Sequence, residues 1–234
     1  MTRFDGVRAV TFDCWGTLLY EPDRDASMRM RIDALAEAAG LDVPSATSLQ
    51  EMAWEVHCAA WVRGEQFGSA GAVAWMAEQT SLSAGAQAHL LRVFEEAALD
   101  TGVAAVSGAG ETIERLKARG IPSALVCDTG LTPGRVVRRL LGRAGLRLDA
   151  FAFSDEVGVP KPSGRMFASA LAAIGGGPAV HVGDLRRTDV AGARAAGLGS
   201  VRFRGIHDDA SDHPEADAVL DDLRDLPGLL GLAS

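Results

Sequence analysis

Lysine is almost absent from this sequence. Of the 23 basic residues in the 234-residue chain, only Lys117 and Lys161 are lysine, and the remainder are arginine. A chain that writes nearly every cation as Arg keeps a Lys by accident or where a compact ammonium is needed. Cysteine is scarce too. Cys14, Cys58 and Cys127 leave an odd thiol if any two pair, and no pair has metal-ligand spacing. That usage fits a reducing cytosol, so a cytoplasmic protein is expected. Long apolar runs are missing. The longest stretch without Asp, Glu, Lys or Arg is Met166 to Gly183, and Gly175-Gly176-Gly177-Pro178 within it would break a membrane helix. The first ten residues carry Arg3, Asp5 and Arg8 and no apolar signal-peptide core, so neither a leader nor a membrane partner is expected. Positive charge is in deficit, with a formal net charge of −8. A nucleic-acid partner therefore needs a local basic stripe. The nearest candidate, Arg135, Arg138, Arg139 and Arg143, reads first as a solvated helix face.

What is present is the making of a core. Hydrophobic residues are 47% and charged residues 23%, the balance of a globular chain and not of a disordered one. Val7 to Phe12 reads as a buried strand. Residues 24–99 show long helical patterns and no convincing strand. In one of them Leu49, Met52, Ala53, Val56 and Ala60 share a face, and Trp54, His57, Cys58 and Trp61 form a second stripe. After Val106 strands and helices alternate: helix 111–119, strand 122–127, helix 133–144, strand 151–153, helix 163–174, strand 179–182, helix 189–196, strand 200–203. That alternation predicts βαβ units and a parallel sheet. The expected fold is α/β, a doubly wound Rossmann-like core (residues 1–20 and 101–234) with an inserted helical cap (21–100).

Ligands in such sheets bind beyond the carboxyl ends of the strands. Asp13 follows the first strand, before Gly16-Thr17. Cys127-Asp128-Thr129-Gly130 follows the second, just before a helix, where backbone N–H groups suit an anion. Lys161 stands between Pro160 and Pro162 after the third, with its direction set by stiff neighbours. Gly183-Asp184 follows the fourth, and Asp189 comes five residues after Asp184. Each alone also reads as a turn, a cap or a surface charge. Together, two carboxylates at one face repel unless a cation joins them, and Mg²⁺ is the usual choice where phosphate oxygens complete the shell.

Asp13 with Gly16-Thr17, Cys127-Asp128-Thr129-Gly130, Lys161-Pro162 and Gly183-Asp184…Asp189 resemble, in order, the four motifs of the haloacid dehalogenase (HAD) superfamily. The resemblance covers the whole chain. It implies a nucleophilic Asp13 and a Lys161 that assists it. It implies phosphate contacts from Thr17, Cys127, Asp128, Thr129 and Lys161. It implies Mg²⁺ held by Asp13, the Trp15 carbonyl and Asp184, with Asp189 counted among the ligands. The substrate implied is a small anionic molecule.

Two positions depart from the pattern. HAD phosphatases carry a second Asp two residues after the nucleophile, where this chain has Trp15, which cannot exchange a proton. An alkoxide leaving group needs that proton most, and an acyl phosphate or a halide needs it least. The 2-haloacid dehalogenases of the superfamily have an aromatic residue there, but they lack the Gly-Asp…Asp pattern present here. Cys127 stands where Ser or Thr is usual. Three readings follow: a Mg²⁺-dependent phosphohydrolase, a dehalogenase-type hydrolase in which Asp13 attacks carbon, and a binding protein that keeps the fold without turnover. Arg186 and Arg187 read as exposed, and the acidic segment from His207 to Asp225 as solvated surface.

Overall fold

The computed structural model describes residues 4 and 6–232. Arg3 and Asp5, cited above for N-terminal polarity, lie outside the described residues. The first strand, β1 (Ala9–Phe12), is buried along its whole length. A two-residue strand, β2 (Leu19–Tyr20), follows it. Next come four helices, α1 (Arg24–Ala39), α2 (Val43–Val62), α3 (Gly68–Gln79) and α4 (Ala84–Thr101). Asp23, Asp42 and Ser83 start α1, α2 and α4 by accepting hydrogen bonds from Ala26, Ser45 and Ala86 N–H groups. Then β3 (Ala104–Ala105) pairs antiparallel with β2.

Alternation follows: α5 (Ala109–Ala118), β4 (Ser123–Cys127), α6 (Gly134–Arg143), β5 (Ala150–Phe153), a short α7 (Ser154–Val157), α8 (Gly164–Ala173) and β6 (Ala179–Gly183). A π-helical turn (Arg186–Val190) leads into α9 (Ala191–Ala195), β7 (Gly199–Phe203), β8 (Ala218–Leu220) and α10 (Leu226–Leu229). The main sheet has the order β5-β4-β1-β6-β7-β8 with every pairing parallel. The fold is an α/β Rossmann-like sheet flanked by helices. Chain order reverses around β1, which sits between β4 and β6, and such a reversal opens a crevice at the strand ends.

Contacts divide the chain into two compact units. The sheet unit takes the chain up to Tyr20, Ala104–Asp128 and everything from Leu141 on. One of its cores packs Ala9, Ala124, Val126 and Ala152 against Met166, Phe167 and Ala170 of α8. The helical unit takes Glu21–Val103 and Thr129–Leu140. Its core is Leu35, Ala53, Val73, Met76, Leu90 and Phe94, with Leu131.

Several expectations need correction. Met52 is exposed, and the buried stripe of α2 is Ala46, Gln50, Ala53 and Ala60. The Arg stripe of α6 is not simply solvated: Arg135 pairs with Glu95 and Glu96, and Arg139 with Glu96. The acidic segment near the C-terminus is not a bare surface either. Arg202, buried on β7, takes both carboxylate oxygens of Glu215 at 2.8 Å and Asp208 at 2.7 Å. Asp217 binds Ser200, Asp221 binds Arg204, and β8 adds the sixth strand between them. Arg186 is likewise held, by Glu215 at 2.9 Å and by the carbonyl oxygen of Ser211 at 2.9 Å.

Candidate active site

Register brings the acidic residues together. β1 and β6 run parallel with Thr11 opposite His181 and Phe12 opposite Val182, and the Asp13 N–H donates to Val182 O at 2.8 Å. The chain then leaves both strands, carrying Asp13 and Asp184 out at the same end. Tight glycines allow the crowding. A Cβ on Gly16, whose φ is +80°, would stand 2.7 Å from Asp184 Oδ2, so the backbone that follows Trp15 runs against that carboxylate. A Cβ on Gly183 would collide with the Asp189 side chain.

Lys161 sits inside this cluster. Its side chain is 3% exposed, and its Nζ donates to Asp13 Oδ1 and, at 2.6 Å, to Asp189 Oδ1. Its backbone N–H donates to Asp128 Oδ1 at 2.8 Å, which ties the loop after β5 to the end of β4. Asp189 is a junction. Oδ1 also faces His181 Nε2 at 3.0 Å, and Oδ2 accepts the Leu185 N–H at 3.0 Å. Thr17 Oγ1 donates to Asp13 Oδ2 at 3.4 Å.

Burial sets the charges. Loss of water, reinforced by neighbouring Asp189, pushes Asp13 up to about 7 despite the attraction of Lys161. Burial and the carboxylates of Asp13 and Asp189 push Asp184 up to about 8. Asp189 goes the other way: against the cost of burial, Lys161 and the His181 hydrogen bond hold it below the usual carboxylate range. Burial favours a neutral Lys161, but Asp13, Asp189 and Asp128 outweigh it and keep the ammonium charged.

One oxygen from each of Asp13, Asp184 and Asp189 lies within 4.8 Å of the others. Fully ionised, three carboxylates against one ammonium would leave two negative charges in a space shielded from water, which is why Asp13 and Asp184 are pushed toward their protonated forms until a cation joins them. That donor set, all hard oxygen and short of positive charge, suits a small divalent cation.

A haloacid dehalogenase-like hydrolase family model matches residues 7–197. The chain belongs to that family. Over 137 residues it is 34% identical to a ribulose-1,5-bisphosphate 5-phosphatase of Halopiger xanaduensis, covering 53% of this chain and 56% of that one. Over 115 residues it is 39% identical to a phosphoserine phosphatase of Thermus thermophilus, covering 46% and 44%. The chain thus spans about half the length of these curated relatives. Among solved structures, a 2-haloacid dehalogenase from Pseudomonas syringae pv. Tomato superposes with a TM-score of 0.73 at 22% identity, over 97% of this chain and 99% of that one. This last likeness speaks to the fold alone.

For a haloacid dehalogenase-like hydrolase, the four sequence motifs meet unevenly. Asp13, Thr17, Lys161, Asp184 and Asp189 form one buried group within the sheet unit. Asp128, expected at the phosphate, spends Oδ1 on the Lys161 backbone. Cys127 is wholly buried, and burial with Cys14 beside it pushes its thiol well up, which makes it a poor nucleophile. Thr129 is buried and groups by contacts with the helical unit. Trp15 is half-buried, and its backbone bridges to Leu19. The sequence reading missed Thr11 and His181. The signal was there: each interrupts an apolar strand at its third residue. Among the described residues no helix is long and apolar enough to cross a membrane.

Proposed function

We propose that this hydrolase is a Mg²⁺-dependent phosphohydrolase that acts on a small phosphorylated molecule through Asp13. The observation that carries this reading is the buried group of Asp13, Lys161 and Asp184 at the point where strand order reverses. The phosphatase names of the two curated relatives favour the same chemistry. In this reading Asp13 and Asp184, with the Trp15 carbonyl, hold Mg²⁺, and Asp189 has only the lone pairs that Lys161, His181 and Leu185 leave to it. When bound, the ion supplies positive charge opposite the phosphoryl oxygens.

The residues of the chain do the rest. A carboxylate oxygen of Asp13 attacks phosphorus in line, a P–O bond forms to Asp13, and the bond to the leaving oxygen breaks. Lys161, with two N–H donors committed to Asp13 and Asp189, turns its third toward the transferring phosphoryl group. Water then attacks the aspartyl-phosphate and returns Asp13 to its starting state. The helical insert at 21–100 is assigned the choice of substrate. Cys14 and Cys127 are free thiols, which suits a reducing compartment.

Release of phosphate from p-nitrophenyl phosphate or acetyl phosphate tests the reading, and EDTA and Asp13→Asn should each abolish it. A second reading rests on Trp15, an aromatic residue where phosphatases of the family carry an acid. In it Asp13 attacks carbon and a halide leaves without a proton. Chloride release from 2-chloropropionate without added metal would establish that reading and displace the first.

A further inference from the structure

Two polar side chains stand where the sheet should be apolar. Thr11 and His181 are register partners on the two central strands, and they are 0% and 1% exposed. Both lie on the face that carries Asp13, two residues beyond Thr11. Buried polar groups persist where their hydrogen bonds are made, and here they form a chain. Thr11 Oγ1 lies 2.9 Å from His181 Nδ1, and His181 Nε2 lies 3.0 Å from Asp189 Oδ1. A carboxylate oxygen accepts, so Nε2 carries the hydrogen; in the neutral imidazole Nδ1 then accepts from the Thr11 hydroxyl, whose other acceptor, Val180 O, lies farther away at 3.4 Å. The Phe167 ring packs against the imidazole edge-on, with centroids 4.9 Å apart and planes at 85°. At the far end, Asp189 Oδ1 accepts from Lys161 Nζ at 2.6 Å, and Lys161 also donates to Asp13.

We propose that Thr11 and His181 are positioning residues for Lys161. Acting through Asp189, they fix where the ammonium stands beside Asp13 and how it meets an incoming anion. The last clause rests on the phosphohydrolase reading; the placement of the ammonium does not. Without the imidazole, Asp189 keeps the Leu185 N–H on one oxygen and only Lys161 on the other. The carboxylate is then able to swing, and the ammonium swings with it. Displacement of a reacting group by about 1 Å costs on the order of 10²-fold in rate. A role in core packing alone would lower stability and leave the ammonium of the folded protein unchanged.

The lysine shortage makes the test direct. Lys161 is buried and Lys117 exposed, so full-length protein labelled with ¹⁵N-lysine should give a protected Nζ signal from Lys161, well apart from that of Lys117. His181→Leu and Thr11→Val should broaden or lose the protected signal. His181→Gln, whose amide N–H can reach Asp189, and Thr11→Ser should keep it. In parallel, with Mg²⁺ and p-nitrophenyl phosphate, His181→Leu should release phosphate on the order of 10²-fold more slowly than wild type, with His181→Gln largely restored. A folded His181→Leu with the wild-type Lys161 signal overturns the proposal, and so does wild-type protein with no protected ammonium. Wild-type protein that shows the expected signals yet neither binds nor releases phosphate supports the positioning role and sinks only the phosphohydrolase reading.

Discussion

On the phosphohydrolase reading, replacing Trp15 with Asp should raise the rate on alkyl phosphates. The position is two residues beyond Asp13, and the backbone at Gly16 lies against Asp184. The substitution leaves the Trp15–Leu19 backbone bridge in place. It adds a fourth carboxylate beside Asp13, Asp184 and Asp189. One uncompensated like charge at about 8 Å and an effective dielectric of about 20 costs about 2 kcal/mol, or about 1.5 pK units, so the excess of carboxylates over the Lys161 ammonium raises the new acid. That moves it toward neutrality, where a general acid works best. A positioned acid is worth about 10²–10⁴ in rate, or about 3–5 kcal/mol of barrier. The gain depends on the leaving group. An alkoxide must be protonated as it departs, whereas the carboxylate leaving acetyl phosphate need not be. Initial rates of phosphate release with Mg²⁺, from an alkyl phosphate and from acetyl phosphate, should therefore diverge. Trp15→Asp should speed the first by at least about tenfold and leave the second within a few-fold. Circular dichroism shows whether the variant is folded. A folded variant with an unchanged ratio of the two rates refutes the missing-acid argument.

Other outcomes follow from the same geometry. In EDTA, stability should fall as pH rises from about 4 to about 8. Asp13 and Asp184 titrate near 7 and 8 in the folded chain against 3.8 unfolded, so the folded state binds more protons across that window. Melting temperatures at pH 5 and pH 8 check this; Mg²⁺ should raise Tm more at pH 8, and a flat profile in EDTA would contradict the burial argument. Gly16→Ala places a Cβ 2.7 Å from Asp184 Oδ2 at a φ of +80°. It should cost about 1–2 kcal/mol in urea unfolding and weaken the Mg²⁺-induced rise in Tm. Phe94→Ala empties the core of the helical unit, where Phe94 is fully buried, and should cost about 3–5 kcal/mol; a loss below 1 kcal/mol would mean that this core repacks easily.

The sheet was readable because parallel strands buried on both faces are written as short apolar runs. Ala9–Phe12, Ser123–Cys127 and Ala179–Gly183 are such runs, and the chemistry begins where each one stops. β2 and β3 were unreadable for the opposite reason: two residues carry no period. β8 was hidden by its setting, since Ala218–Leu220 is short, half-exposed and embedded among acids. Those acids show why charge in a sequence does not state its own environment. Asp208 and Glu215 look like solvated surface until Arg202, inside β7, is seen to hold them.

The site divides along the same line. Asp13, Lys161 and Asp184 stand out in sequence because each follows a strand and because lysine is rare. What holds them does not stand out, because it is made by pairing across the sheet. Thr11 and His181 are 170 residues apart and meet only through the parallel register of β1 and β6. A polar residue in one apolar strand is weak evidence of anything. Two of them, at the third position of strands that turn out to be neighbours, amount to a buried hydrogen-bonded pair. That pair leads, through one carboxylate, to the lysine beside Asp13. Reading single strands finds the charged groups at the strand ends, and reading their register finds the buried groups hydrogen-bonded behind them.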